Sequence, residues 1–201
     1  MVNGAYVYII TNAMLKLSWD LFVIVIFTVI VAYSIIIGRE KTLRVTIATY
    51  LAILTADGLG NLFKQYVFSS KQFISIMHTV GIGTEDYTLI LIKILVCIAA
   101  IVIVTIKGGF SVQSNFLNGG AVGVVMNMIF GFLSAGLLIS TFLVYASGAS
   151  FVSGSVTISN EALNEAYNQS EMIRMMIDNY NFWFSVPSLA FLITSLFNTA
   201  E

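Results

Sequence analysis

Charged side chains are scarce in this sequence of 201 residues. Only 9% of the residues are Asp, Glu, Lys or Arg, whereas 58% are hydrophobic; an ordinary soluble domain carries about 25% charged residues. Most side chains must therefore face lipid or one another rather than water. The nine basic and ten acidic residues nearly cancel, so the chain lacks the positive charge typical of nucleic-acid binding. We expect no DNA or RNA partner.

Residues that bind metals or carry out catalysis are equally few. Cys97 is the only cysteine and His78 the only histidine, which excludes an internal disulfide and leaves a zinc site or a Ser-His-Asp triad without partners. Cys97 lies in an apolar run and fits a small packing residue. The sequence contains no phosphate-binding glycine loop and no serine nucleophile motif. We predict that the protein is not an enzyme and has no metal or cofactor.

Long apolar runs dominate what is present. Residues 21–37 contain no charge, and residues 45–63, 88–106 and 120–145 form three further long stretches. About 17 to 25 apolar residues are needed to cross roughly 30 Å of hydrocarbon as a helix. Strands are much shorter, and the alternating segments of an outer-membrane barrel are missing. The sequence predicts an all-α integral membrane protein, with four transmembrane helices within residues 1–146.

The segments outside these spans predict structures at the membrane surface. Apolar residues at helical spacing in 5–17 predict a short interfacial helix that stays in the mature protein. Residues 64–87 predict a loop that carries another short interfacial helix. Residues 147–201 predict a Ser/Gly-rich loop, a polar helix over 161–179 and an apolar tail over 182–197. The tail is short and contains Pro187, so both a short fifth span and a helix packed on the others remain open.

Basic residues after the first span predict the orientation of the chain. Arg39, Lys41 and Arg44 lie within six residues of one another, and such clusters remain on the cytoplasmic side. We therefore expect a cytoplasmic loop over 38–44, with the N-terminus outside. Trp19 and Asp20 mark the outer end of the first span, and the acidic segment that contains Glu165 faces outward.

Asp57 and Lys93 are the charges that the sequence places within the hydrocarbon. An ionisable residue inside a membrane is a candidate functional residue. A lysine near the end of a span can instead extend its side chain to the interface. Both residues lie about 8 to 9 Å below the same membrane surface at 1.5 Å per helical residue. If the second and third spans form an antiparallel hairpin, these two side chains can pair.

Small residues recur every four positions in the fourth span. This spacing places them on one helix face, where they allow another backbone to approach closely. Three uses of the face remain open: packing within the chain, self-association and the lining of a pore. Its residues are Gly119, Gly123, Asn127, Gly131 and Ala135.

A cluster of methionines and aromatic residues precedes and opens the tail. It includes Met172, Met175, Met176 and Trp183. The cluster fits either the apolar side of a helix docked on the membrane domain or a partner-binding face.

Several of these features together resemble one family. They are Trp19-Asp20 before the first span, the turn from Gly38 to Arg44 and the glycine-rich fourth helix, and they resemble the colicin V production protein (CvpA-like) family of small bacterial inner-membrane proteins. The resemblance covers roughly residues 17–146, and its matching positions are Asp20, Arg39 and Arg44. It implies a non-enzymatic, multi-spanning protein of the bacterial cytoplasmic membrane, linked to secretion or envelope homeostasis.

Two functions follow as hypotheses. The first is a scaffold or accessory subunit in secretion, transport or envelope homeostasis, embedded in the lipid bilayer and associated with copies of itself or with another membrane protein. The second is a channel or transporter subunit in which the small-residue face of the fourth span lines the path.

Overall fold

The computed structural model describes residues 2–67, 85–108, 120–151, 158 and 160–198, and only the backbone of 2–18, 67, 85–86, 120–122 and 196–198 among them. Within these ranges the chain is helical and contains no strand. The helices are α1 (Val2–Ile37), α2 (Arg39–Leu62), α3 (Glu85–Lys107), α4 (Gly120–Ala146), α5 (Glu161–Gln169), α6 (Glu171–Asp178) and α7 (Tyr180–Asn198).

Four helices of the described chain are long and apolar enough to cross a membrane. Their apolar stretches are Trp19–Ile37 in α1, Arg39–Tyr66 in α2 and the turn that follows it, Tyr87–Lys107 in α3 and Gly123–Ala146 in α4. The all-α class and the four apolar helices predicted from the sequence are therefore confirmed.

The first helix is longer than the sequence predicted. We expected a short interfacial helix over 5–17 and a separate span, but α1 runs from Val2 to Ile37 without a break. No glycine or proline lies between residues 5 and 37, so nothing in this stretch interrupts the backbone hydrogen bonds. The expected boundary before Trp19 is absent.

The predicted loop over 38–44 is reduced to one residue. Gly38 has a φ of 83°, a conformation that costs glycine little, and the chain enters α2 at Arg39. The Gly38 carbonyl accepts the Thr42 N–H at 3.1 Å and the Thr42 hydroxyl at 3.0 Å, which fixes the turn to the first turn of α2. Arg39, Lys41 and Arg44 therefore occupy the first turns of a helix.

The bundle has two inner and two outer helices. α2 packs most extensively on α3, and α4 contacts α1, α2 and α7. Small and hydroxyl-bearing residues fill the buried side of α2, whereas α1 and α3 expose wide apolar faces. This arrangement places Asp57 on the inner helix α2, against which Lys93 of α3 packs.

The C-terminal segment differs in detail from its prediction. The polar helix expected over 161–179 is two helices, because Ser170 is extended and its side chain accepts the Ile173 N–H at the start of α6. α7 runs through Pro187 and packs on α4. The Tyr50 hydroxyl donates to the Phe184 carbonyl, which ties α7 to α2. Residues 68–84, where an interfacial helix was predicted, lie outside the described chain.

Candidate functional site

Asp57 and Lys93 form a buried ion pair between α2 and α3. Lys93 Nζ lies 3.2 Å from Asp57 Oδ1, and the side chains are 5% and 1% exposed. The two helices form the antiparallel hairpin on which the predicted contact depends. Two opposite charges removed from solvent stabilise each other only while both are present, so loss of one leaves the other uncompensated.

Gly60 makes room for the lysine. A Cβ atom at this position would lie 2.7 Å from Lys93 Cε and 3.0 Å from Cγ, so the lysine side chain crosses α2 where the helix has no side chain. Gly58, two residues earlier, has nothing within 4 Å of its Cβ position. Because residues three apart share a helix face, only the second glycine of Asp57-Gly58-Leu59-Gly60 belongs to the site.

Tyr145 of α4 completes the site from a third helix. Its ring centroid lies 5.8 Å from Lys93 Nζ, within the range of a cation–π contact. Its hydroxyl donates to the Ile53 carbonyl at 3.0 Å, which fixes the ring against α2. Tyr145 could not be predicted from the sequence, because its partners are far away along the chain and no spacing relates them.

Cys97 lies beside the ion pair and contributes packing. It is fully buried and shares a cluster with Ala52, Ala56 and Tyr145. The small side chains on both helices permit the close approach that brings Lys93 to Asp57. This environment fits the interpretation of Cys97 as a packing residue.

Hydroxyl groups continue the polar character along the buried side of α2. Thr42, Thr46 and Thr49 each donate to the backbone carbonyl four residues earlier, at 2.8 to 3.0 Å. Ser34 of α1 and Thr42 are joined by a hydrogen bond of 2.6 Å between their hydroxyls. Each hydroxyl is thereby satisfied within the bundle, and this row extends along α2 from the Gly38 turn to Thr49.

The small-residue face of α4 packs inside the chain. A Cβ at Gly131 would lie 2.8 Å from Ser34 Oγ of α1, Ala135 is buried, and Asn127 Nδ2 donates to the Ile35 carbonyl at 3.4 Å. Gly123 is half-buried, and Gly119 lies outside the described residues. Of the three uses left open, packing within the chain is the one that these contacts match.

Asp20 connects α1 to the C-terminal helices. Its Oδ1 accepts from the Ser170 hydroxyl and from the Met172 N–H, the latter at 3.2 Å. A carboxylate at a helix N-terminus satisfies free N–H groups and complements the helix dipole. The residue interpreted as a marker of the outer end of α1 therefore holds α6 in place.

A second polar contact lies on the exposed side of these helices. The Tyr167 hydroxyl donates to Asp178 Oδ1 at 2.7 Å, and this hydrogen bond to a carboxylate raises the pKa of Tyr167 above its usual value. The Arg174 guanidinium lies 5.5 Å from the Tyr167 ring centroid. α5 and α6 are thus held together by side chains as well as by the Ser170 turn.

The described residues offer no metal centre, since no three His, Cys, Asp or Glu side chains among them come together. His78 lies outside these residues. Comparisons of the chain with protein-family models, with curated proteins and with solved structures find no match.

Proposed function

We propose that this chain is a non-catalytic, multi-spanning membrane protein that acts as a scaffold or accessory subunit through the exposed faces of α1 and α3. One observation supports the proposal: the residues of the ion pair and the glycines Gly131 and Gly136 of α4 make contacts within the chain. Asp57 pairs with Lys93, Gly131 packs on α1 and Gly136 packs on Trp183. Among the four apolar stretches, those of α1 and α3 are the least buried, so they offer the widest surface to other molecules.

The proposal includes a place and an orientation. The resemblance to CvpA-like proteins supports the bacterial cytoplasmic membrane and a role in secretion or envelope homeostasis. Arg39, Lys41 and Arg44 at the start of α2 support a cytoplasmic position for that end. The contact of Asp20 with Ser170 joins the acidic C-terminal helices to the end of the apolar stretch of α1 that lies opposite Gly38, which supports an outward position for Glu165. Labelling a cysteine introduced at Glu165 from the cytoplasmic side alone would contradict this orientation.

Cross-linking in native membranes tests the accessory role. In a Cys97→Ser background, Ile36→Cys in α1 and Leu95→Cys in α3 place single thiols at sites that are 81% and 61% exposed. Mild oxidation is expected to yield a discrete dimer or a cross-link to a partner from at least one of these positions. Leu137→Cys, buried in α4, is the matched control and should give none. Equal, random cross-linking from all three positions would contradict a defined interface.

A channel or transporter subunit is the second candidate. The row of buried hydroxyls along α2 and the ion pair at its end favour it, since polar residues inside a membrane often mark a permeation path. The packing of Gly131 and Gly136 argues against a path along α4 within one chain. Proteoliposome ion flux separates the two candidates, because robust conductance that Gly123→Val abolishes would overturn the scaffold proposal.

A further inference from the structure

A narrow groove opens on the side of the bundle where α1, α4, α6 and α7 meet. It has a volume of about 190 Å³, and we call it the Trp183 groove after the residue at its inner wall. Phe27, Phe132 and three methionines of α6 also line it. The only polar groups among the described lining side chains are the Thr28 hydroxyl and the indole N–H of Trp183. A mostly apolar cleft with a few polar groups is the usual form of a ligand site.

Aromatic rings form one wall of the groove. The ring centroids of Phe27 and Phe132 are 4.9 Å apart, and those of Phe132 and Trp183 are 5.8 Å apart. Such rings bind another flat ring in offset or edge-to-face contact. An engineered apolar cavity of roughly 150 Å³ accepts benzene, so this groove has room for a substituted six-membered ring.

The indole N–H of Trp183 has no acceptor among the described residues. Trp183 is 5% exposed, and a buried donor without a partner costs about 1–3 kcal/mol. The indole atoms nearest Gly136 of α4 are Cε3 and Cζ3, and Nε1 lies on the other side of the ring system. The Thr28 hydroxyl donates to the Ile24 carbonyl at 2.8 Å, and its oxygen does not accept a hydrogen bond from the indole N–H. A ligand with an acceptor oxygen would supply what the chain lacks.

Charge and depth restrict the ligand further. No charged residue lines the groove among those described, which favours a neutral molecule. Ile24 and Thr28 follow Trp19 by five and nine residues, or about 8 to 14 Å along the helix. The depth of the groove rests on the membrane position given in the proposed function: with Trp19 at the outer interface, as the sequence predicts, the groove opens into hydrocarbon. A carbonyl oxygen at that depth belongs to a molecule dissolved among the lipid chains.

We propose that the Trp183 groove binds a neutral, lipid-soluble quinone, with its ring against Phe27 and Phe132 and one carbonyl oxygen accepting from Trp183 Nε1. The apolar tail leaves through the open side of the groove into lipid. Nε1 itself is buried, so a neighbouring side chain must move when the ligand enters. The methionines on the wall have the rotational freedom for this adjustment.

Tryptophan fluorescence provides the test, because Trp19 and Trp183 are the only tryptophans. The full chain is placed in lipid nanodiscs as the Trp19→Phe variant, which reports on Trp183 alone, and as the Trp183→Phe variant, which reports on Trp19. The probe is ubiquinone with a ten-carbon tail. We expect saturable quenching of Trp183 and only weak, linear quenching of Trp19. Ile24→Phe, at an exposed position on the groove edge, should fill the opening and abolish the saturable component without disturbing the core.

A second measurement isolates the hydrogen bond. The ubiquinone concentration that gives half of the maximal thermal stabilisation should rise about five-fold in Trp183→Phe relative to Trp19→Phe, because the variant loses one hydrogen bond. Linear quenching of equal strength for both tryptophans would overturn the proposal. So would saturable quenching by brominated acyl chains alone, which identifies an ordinary lipid, or a Trp183 signal that responds only to protein concentration, which identifies a second copy. None of these results depends on the cross-linking that tests the scaffold role.

Discussion

The outer helices α1 and α3 and the inner helices α2 and α4 differ in how much of their apolar stretch is buried. In their apolar stretches only 11% and 17% of the residues of α1 and α3 are buried, against 44% and 67% in α2 and α4. The more apolar helices are therefore the more exposed. Lipid is as apolar as leucine, so burial of a large aliphatic side chain drives helix association weakly. Close packing and polar contacts must supply the specificity, and the outer-helix residues Lys93 and Ser34 each make a polar contact to the inner helix α2.

Loss of one charge from the Asp57–Lys93 pair should have the largest effect on stability. Lys93→Met leaves Asp57 buried without its counter-ion, and we expect a loss of about 3–5 kcal/mol in the free energy of unfolding. Denaturation in mixed detergent micelles measures it. Asp57→Asn should also destabilise, and the double variant should lose less than the sum of the two. Strict additivity would show that the two side chains act independently.

Gly136→Ala probes the contact of α4 with α7. The new Cβ would lie 2.0 Å from Cε3 of Trp183 and 2.2 Å from Cζ3, and a rigid indole ring cannot avoid it by a small rotation. We expect a loss of about 2–3 kcal/mol, at the upper end of overpacking costs. The same substitution in a Trp183→Leu background should cost less. An equal loss of stability in both backgrounds would show that a clash with the indole ring does not cause the effect of Gly136→Ala.

Gly60→Ala and Gly58→Ala form a matched pair on α2. Alanine has the higher helix propensity by about 1 kcal/mol, and Gly58 has open space around its Cβ position, so Gly58→Ala should be neutral or stabilising. Gly60→Ala must displace the Lys93 side chain, and we expect it to be less stable than Gly58→Ala by about 1–2 kcal/mol. Thermal denaturation of both variants in the same detergent decides the point. Equal stabilities would show that the lysine adapts freely.

Ser170→Ala tests whether α1 has a specific inner contact despite its exposure. The substitution removes the cap of α6 and one partner of Asp20, and we expect a loss of about 1 kcal/mol. Hydrogen exchange should become faster over 161–178 and stay unchanged in α2 and α4. Ser185→Ala, exposed on α7, is the control. Faster exchange throughout the bundle would mean that α6 is part of the core.

Leu95→Ala on α3 should have the smallest effect, within about 0.5 kcal/mol, since its side chain is exposed. Leu137→Ala on α4, which is buried, provides the reference for a core position. Unfolding of the two variants in detergent measures the contrast directly. A large loss for Leu95→Ala, seen only at protein concentrations where the chain self-associates, would instead assign that face to an interface between copies.

Several parts of the fold could be predicted from the sequence of each helix taken separately. The four spans follow from apolar length, and the pairing of Asp57 with Lys93 followed because their depths match across a hairpin. The role of Tyr145 could not be predicted, because only the tertiary fold brings α4 to Asp57 and Lys93. The loop predicted over 38–44 was wrong because one glycine at positive φ reverses the chain without further residues. The division of the polar helix at Ser170 depends on Asp20, 150 residues earlier.

By itself, the sequence determined that this is an all-helical chain with four helices apolar enough for a membrane, since length and hydropathy act locally along each helix. It also identified Asp57 and Lys93 as the charged residues that need a partner inside a membrane. Only the tertiary structure decided which helices lie inside, that Gly60 rather than Gly58 accommodates Lys93, and that Trp183, which lines a groove, has an indole N–H without an acceptor among the described residues. Those outcomes depend on distances between helices far apart in sequence, and in lipid such distances are set by small-residue packing rather than by hydrophobicity.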